Sequence, residues 1–136
     1  MTHRGGCICE AIRFSATAEP LDAGYCHCRL CQRSTGAPVL AWVSFPTEGF
    51  SYTRGVPARY QSSEHGHREF CRDCGTQIAY RDSESARTVE VNVGSLDDCE
   101  RVTPRYHIWC ASRISWFDTA DSLPRFEAAK PRGDEV

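Results

Sequence analysis

The sequence predicts a mainly β domain, built as a sandwich or open barrel of short antiparallel strands with little helix. The extended runs are short, glycine and proline interrupt them often, and helical patterns are weak. Strands are predicted at residues 11–17, 39–45, 50–53, 58–61, 77–80, 88–93 and 107–110. Residues 54–57, Arg-Gly-Val-Pro, are expected to connect two of these strands as a hairpin. Helix is predicted over 27–34, with a further turn within 115–123.

The length, charge and ends of the chain narrow its class. Its 136 residues are expected to form a single domain, 1–136, with a core at about 5–126 and a polar, frayed tail over 127–136. A net charge of −2 gives no electrostatic case for nucleic acid. No apolar run is long enough for a membrane span, and the N-terminus lacks the apolar segment of a secretory signal. We therefore expect a cytoplasmic protein with reduced thiols, and homo-oligomerisation is left open.

Cysteine spacing carries the strongest functional signal. The chain has nine cysteines, and seven of them lie in short motifs with the spacing of metal ligands: Cys7, Cys9, Cys26, Cys28, Cys31, Cys71 and Cys74. Four thiolates complete a tetrahedral zinc site, whereas three leave one position open. The sequence therefore predicts a zinc-binding domain with two Zn²⁺ per chain, one structural and one labile or catalytic.

The predicted structural site combines two pairs that lie far apart in the chain. Cys71 and Cys74, followed by Gly75, form a zinc-knuckle pattern, and Cys7 and Cys9 supply the other two ligands. A zinc ion held in this way would contribute directly to folding. The alternatives are a disulfide framework, disfavoured by the odd cysteine count and the expected compartment, and reduced pairs without metal.

The second predicted site uses Cys26, Cys28 and Cys31. Cys28 and Cys31 share one face if a helix begins here, and Cys26 precedes it. Three interpretations stay open: a labile zinc that takes an external thiol, a redox cluster, and a second structural zinc with a fourth protein ligand. The candidates for that fourth ligand are His27, His107, Cys99 and Cys110.

Residues around this second site are weaker candidates. Arg29 and Arg33 flank it and are expected either to pair with substrate carboxylates or to form a solvated charged face. His107 and Trp109 are expected on one face of a strand. Cys99 is expected to be a surface thiol, and Cys110 a small core residue.

The order of these motifs resembles one family. Gly5-Gly6-Cys7-x-Cys9, then Cys26-His27-Cys28-x-x-Cys31 with Arg33 to Ala37, then Phe70-Cys71-x-x-Cys74-Gly75-Thr76 and His107-Ile108-Trp109 are similar to the glutathione-dependent formaldehyde-activating enzymes and centromere protein V. The resemblance covers roughly residues 5–126. It implies an Mss4-like fold, a structural zinc at Cys7, Cys9, Cys71 and Cys74, and a labile or catalytic zinc at Cys26, Cys28 and Cys31.

The resemblance also implies an activity and shows one departure. The activity is that of a carbon–sulfur lyase that joins glutathione and formaldehyde as S-(hydroxymethyl)glutathione, so the expected partner is a small thiol such as glutathione. Glu10 stands where the family usually has glycine, and because glutamate adopts positive φ only at a cost, that turn is expected to differ.

Two further functions remain as alternatives. One is a non-catalytic zinc scaffold that binds a protein partner through exposed aromatics among Trp42, Trp109 and Trp116. The other is a methionine sulfoxide reductase, which is disfavoured because the chain has only one free-standing C-x-x-C motif.

Overall fold

The computed structural model describes residues 2–131, which form a mainly β structure with one short α-helix, α1 (Arg29–Thr35). The ten strands are β1 (His3–Gly6), β2 (Arg13–Ala16), β3 (Asp22–Cys26), β4 (Leu40–Pro46), β5 (Phe50–Arg54), β6 (Ala58–Gln61), β7 (Gly66–Phe70), β8 (Gln77–Asp82), β9 (Thr88–Asn92) and β10 (His107–Ile108). The prediction of a mainly β fold with little helix is confirmed.

The strands form two sheets that pack as an open sandwich. The smaller sheet has the order β1-β2-β5, and the larger has the order β10-β3-β4-β9-β8-β7-β6. Phe14 and Phe50 of the smaller sheet and Phe45, Val89 and Val91 of the larger sheet lie in one buried cluster. Apolar burial between the sheets therefore holds the sandwich together. Contrary to the all-antiparallel expectation, β10 pairs with β3 in parallel.

The helix lies where the sequence predicts it. Cys28 is its N-cap, and the Cys28 thiol accepts a hydrogen bond from the backbone N–H of Cys31. Gly36 ends the helix at φ 68°, in the left-handed region that glycine adopts most easily. Residues 115–123 are irregular beyond a turn at 115–116, so the expected helical turn is not formed there. None of the helices in residues 2–131 has the length and apolarity needed to cross a membrane.

The expected hairpin over residues 54–57 is wrong. β5 pairs with β2 in the smaller sheet, whereas β6 pairs with β7 in the larger sheet. The connection crosses between sheets at Gly55, which has φ 71°, and a Cβ placed there would lie 2.2 Å from the Ala11 carbonyl oxygen. Residues 54–57 do form a connection with glycine in the left-handed region, but the strands on either side of it pair with other strands.

Part of the expected tail is held to the fold. The backbone N–H of Trp109 donates to the Ala128 carbonyl at 3.1 Å. The Lys130 ammonium lies 5.0 Å from the centre of the Tyr106 ring, a cation–π distance. The expectation of a frayed tail is therefore wrong for this stretch, and its last residues, 132–136, lie outside the described part of the chain.

Candidate metal centres and active-site cleft

The four-cysteine site joins the two sheets. Cys7 and Cys9 lie in the connection from β1 to β2, and Cys71 and Cys74 lie between β7 and β8. Their four sulfur atoms all lie within 4.8 Å of one another. The Sγ atom of Cys9 lies 3.7 Å from the Sγ atoms of both Cys7 and Cys71. A tetrahedron of sulfurs around zinc has edges of about 3.8 Å, whereas a disulfide needs about 2.05 Å. The donor set therefore fits a tetrahedral zinc ion.

Hydrogen-bond donors already surround these sulfur atoms. The Ile12 backbone N–H donates to the Cys7 Sγ atom at 3.3 Å. The Thr76 hydroxyl lies 3.2 Å from the Cys74 Sγ atom and accepts from the Ile8 N–H at 3.1 Å, which links the two turns. This hydroxyl and the Thr76 backbone N–H lower the pKa of Cys74 to about 5. These donors thus favour the thiolate form of Cys74.

The turn at Glu10 has a left-handed backbone although the residue is not glycine. Glu10 adopts φ 64°, the left-handed conformation for which glycine is the usual choice. Its backbone N–H donates to the Cys7 carbonyl at 3.2 Å and closes the turn. Glu10 therefore takes a backbone conformation that glycine adopts most easily, and the cost is backbone strain at a residue that carries a Cβ.

The three-cysteine site lies where β3 meets α1. Cys26 ends β3, Cys28 caps the helix, and Cys31 lies one turn further on. Their sulfur atoms lie within 4.8 Å of one another. Hydrogen bonds from the Cys26 and Cys31 thiols hold the pKa of Cys28 well below its usual range. The Cys31 N–H, which bonds the same sulfur at 3.3 Å, acts in the same direction.

Within residues 2–131, no fourth His, Cys, Asp or Glu belongs to this cluster. The Nε2 atom of His27 bonds instead to the Nδ1 atom of His107 at 2.8 Å, and His107 in turn bonds the Asp121 carboxylate at 3.1 Å. Cys99 is exposed. Cys110 is half-buried and belongs to neither core cluster, so its expected core role is wrong. The four proposed closing ligands are all engaged or placed elsewhere.

A buried arginine that was not among the predicted site residues faces the three-cysteine site. Arg68 on β7 is only 7% exposed, and both of its Nη atoms lie 3.8 Å from the Cys31 Sγ atom. Its guanidinium also lies 5.1 Å from the centre of the Tyr80 ring. The only local sequence signal for Arg68 is the alternation of residues 67–70, which places Arg68 with Phe70 and opposite His67 and Glu69. It is weak because a strand so rich in charge resembles a surface segment.

The three-cysteine site opens onto a cleft of about 520 Å³. The cleft lies on the face of the larger sheet that points away from the core, because Glu90 and Asn92 alternate with the buried Val89 and Val91. The other lining residues are Cys26, Cys28, Arg29, Leu30, Cys31, Leu40, Trp42, Ser63, Arg68, Tyr80, Asp82, Ile108, Trp109 and Ala129.

The two arginines expected to contact substrate are placed differently. Arg29 lines the cleft, and its Nη1 atom donates to the Gln32 Oε1 atom at 2.6 Å. Arg33 is exposed in the last turn of α1 and is not among the lining residues. Of the two, only Arg29 is therefore placed to meet a ligand in this cleft.

The three tryptophans have different environments. Trp42 is 6% exposed and lines the cleft, whereas Trp116 is 75% exposed. Trp109 follows β10 in the left-handed conformation, at φ 56°, and is 42% exposed. Because β10 ends at Ile108, His107 and Trp109 do not share a strand face as expected. The aromatic patch expected for a scaffold is therefore reduced to Trp109 and Trp116.

The chain is similar to known proteins in sequence and in fold. An uncharacterised lyase of Schizosaccharomyces pombe is 24% identical over 124 residues, which cover 91% of this chain and 90% of the yeast protein. A crystal structure of a Rhodobacter sphaeroides protein, 28% identical, superposes with a TM-score of 0.58 and covers 75% of this chain and 92% of that one. The family model described as glutathione-dependent formaldehyde-activating enzyme matches residues 2–112. The chain therefore belongs to the family of glutathione-dependent formaldehyde-activating enzymes.

Proposed function

We propose that the chain is a zinc-dependent carbon–sulfur lyase-type enzyme that acts on a small thiol or thiol adduct, as in the formation of S-(hydroxymethyl)glutathione. One observation carries the proposal: three cysteines converge at a cleft without a fourth ligand from residues 2–131. A cleft of about 520 Å³ lies within the usual range of small-molecule sites. Membership of the family and the lyase relative support the same reaction class.

We assign the metals by the geometry of their donors. Cys7, Cys9, Cys71 and Cys74 would hold a structural zinc, and Cys26, Cys28 and Cys31 would hold a second, labile one. When bound at the second site, zinc would keep a coordinated substrate thiol deprotonated and therefore nucleophilic. Arg68, beside the Cys31 sulfur, offsets part of the negative charge of these thiolates.

The proposed reaction needs no oxidant and no reductant. The substrate sulfur attacks the carbonyl carbon of formaldehyde and forms a C–S bond. The electron pair of the C=O double bond moves to oxygen, which takes up a proton to become the hydroxyl group. The reverse reaction breaks the C–S bond and returns the thiol and the aldehyde, which is why the enzyme is a lyase. Thiol chemistry of this kind suits a reducing compartment, and we place the protein in the cytoplasm.

Native mass spectrometry with increasing glutathione tests the proposal. We expect two zinc ions per chain, with glutathione joining or displacing one of them as its concentration rises. The companion measurement is the exchange of formaldehyde with glutathione, followed by NMR, with and without the protein. Two zinc ions that ignore glutathione, together with unchanged exchange, would contradict the proposal and favour a non-catalytic scaffold.

A further inference from the structure

The part of the cleft that lies beyond the cysteines has a polar floor of defined order. Strand register places Arg68, Tyr80, Glu90, Ser44 and Asp22 side by side in one row across five neighbouring strands. Side chains in such a row share one face of the sheet. A ligand that extends from the three-cysteine site along this face therefore meets both a cation and carboxylates.

Of the two carboxylates in this row, Glu90 and Asp22, only Glu90 lines the cleft. No ion pair joins it to an arginine or lysine in the described part of the chain, and Arg68 lies against Cys31 and Tyr80. Burial, and secondarily Asp82, raise the pKa of Glu90 to about 7. An ammonium group beside it would relieve both effects, because an opposite charge favours the ionised carboxylate.

A buried donor lies nearer the cysteines. Trp42 is 6% exposed and lines the cleft, and its indole Nε1–H has no hydrogen-bond partner among residues 2–131. A buried N–H without an acceptor costs free energy that a ligand oxygen can recover. Trp42 precedes Ser44 by two residues on β4, and Ser44 lies opposite Glu90. The donor and the unpaired carboxylate are therefore one strand repeat apart on the same face.

This pairing of donor and acceptor matches an amino-acid head group, which carries a carboxylate and an ammonium on one carbon. On β4, Leu40 lies opposite Cys26, and Ser44, four residues further on, lies opposite Glu90. The row that contains Glu90 therefore lies about 13 Å along the strand from the position of Cys26. Cysteine alone is too short to span this distance. A thiol with an amide-linked spacer, at roughly 3.5 Å per residue, and with the reach of the two side chains added, can span it.

We infer that Glu90 and Trp42 form a subsite for the free α-amino-acid head of the substrate thiol, with Glu90 receiving the ammonium and Trp42 the carboxylate. The γ-glutamyl group of glutathione has this chemistry and this spacing. The inference rests on the proposed function for the identity of the thiol. Beyond that function, the inference names the residues that would distinguish a thiol with a free amino group from one whose amino group is blocked.

Binding of S-methylglutathione tests the subsite apart from the zinc chemistry, because this ligand has no free thiol. We expect isothermal titration to show that the zinc-loaded protein binds it at least tenfold more tightly than its N-acetyl derivative. In Glu90→Gln this preference should fall to about twofold or less, and Trp42→Phe should weaken both ligands by similar factors. Glu100→Gln, which changes an exposed carboxylate outside the cleft, should keep the full preference.

Each other outcome has a defined meaning. Equal binding of the free and blocked ligands, no binding of either, or an undiminished preference in Glu90→Gln would overturn the subsite. A proton-transfer role for Glu90 predicts instead that Glu90→Gln lowers kcat for both glutathione and its N-acetyl derivative while their binding ratio stays unchanged. The proposed function is judged separately, by zinc-linked binding and exchange of glutathione itself.

Discussion

The two cysteine sites use the same ligand type in opposite settings. At the four-cysteine site, Cys7 and Cys9 come from a turn of the smaller sheet, and Cys71 and Cys74 come from a turn of the larger sheet. At the three-cysteine site, Cys26, Cys28 and Cys31 come from one strand end and the helix beside it. A metal at the first site would tie the sheets together, whereas one at the second would bridge residues that the local chain already holds near one another.

The groups that face the sulfur atoms also differ between the two cysteine sites. Four thiolates and one Zn²⁺ leave a net charge of −2, which backbone N–H groups and the Thr76 hydroxyl face at the four-cysteine site. Three thiolates and one Zn²⁺ would leave −1, which the buried guanidinium of Arg68 would balance. The comparison teaches that ligand count and placement, rather than ligand type, separate a site suited to folding from one suited to chemistry.

The largest expected effect comes from breaking each site in turn. Cys74→Ser should remove the link between the sheets and lower the free energy of unfolding by roughly 5 kcal/mol or more, because structural zinc binding is coupled to folding. Cys28→Ser should leave the fold intact and abolish exchange of formaldehyde with glutathione. Circular dichroism measures folding and stability, zinc content per chain measures metal binding, and NMR measures the exchange of formaldehyde with glutathione.

Cys99→Ser is the matched control, because Cys99 is an exposed thiol that belongs to neither site. It should match the wild type in all three measurements. A folded Cys74→Ser protein with two zinc ions per chain would overturn the assignment of the sites. Full activity in Cys28→Ser would show that the three-cysteine site is not where the reaction takes place.

A smaller effect is expected from removing the buried cation beside the three-cysteine site. Arg68→Met should raise the zinc dissociation constant of this site by about tenfold, which corresponds to ~1.4 kcal/mol, because the thiolates lose a positive charge 3.8 Å from the Cys31 sulfur. Competition with a chromogenic chelator measures the release of each zinc ion. The four-cysteine site should retain its zinc unchanged.

Arg81→Met is the matched control for loss of a stacked arginine. The Arg81 guanidinium lies 5.5 Å from the centre of the Phe50 ring, much as that of Arg68 lies against Tyr80, but it pairs with Glu69 rather than with a cysteine. It should alter stability without changing zinc release from the three-cysteine site. Equal zinc release from both variants would mean that Arg68 acts through packing and not through charge.

The sequence predicted the cysteine sites better than it predicted the sheets. Grouping Cys7 and Cys9 with Cys71 and Cys74 needed only the ligand number of zinc, and the structure brings these four residues together. By contrast, β5 and β6 were expected to pair with each other, because a suitable turn separates them. Pairing depends on which apolar faces the rest of the chain offers, and adjacent sequence does not contain this information.

Site residues that only strand pairing brings together were harder to predict than residues whose spacing in the sequence already suggests a shared metal. Arg68 and Glu90 lie in strands β7 and β9, and only the register across β8 shows that they share a row. Strand β7 was not predicted, since its sequence is mostly polar. β3 was also missed, because the glycine in its interior weakens the strand pattern.

The smallest expected effect concerns the backbone of the four-cysteine site. Glu10 is held at φ 64°, a conformation that costs a residue with a Cβ about 1–2 kcal/mol. Glu10→Gly removes this strain but adds freedom to the unfolded chain, so we expect the free energy of unfolding to rise by roughly 0.5–1 kcal/mol. Urea denaturation of the zinc-loaded protein measures the change. Zinc content and formaldehyde exchange should stay as in the wild type.

Gly75→Ala offers the reciprocal change in the other turn of the same site. Gly75 has φ 80°, and a Cβ placed there would meet no other atom within 4 Å, so the substitution should destabilise the protein through backbone strain alone. Glu10→Ala separates the backbone effect from that of the side chain, because it keeps the Cβ and removes the rest of the side chain with its carboxylate, and it should leave stability nearly unchanged. If Glu10→Gly lowered stability or loosened zinc, the glutamate side chain would be part of what holds this turn. Glycine at position 10 would then not give the more stable turn.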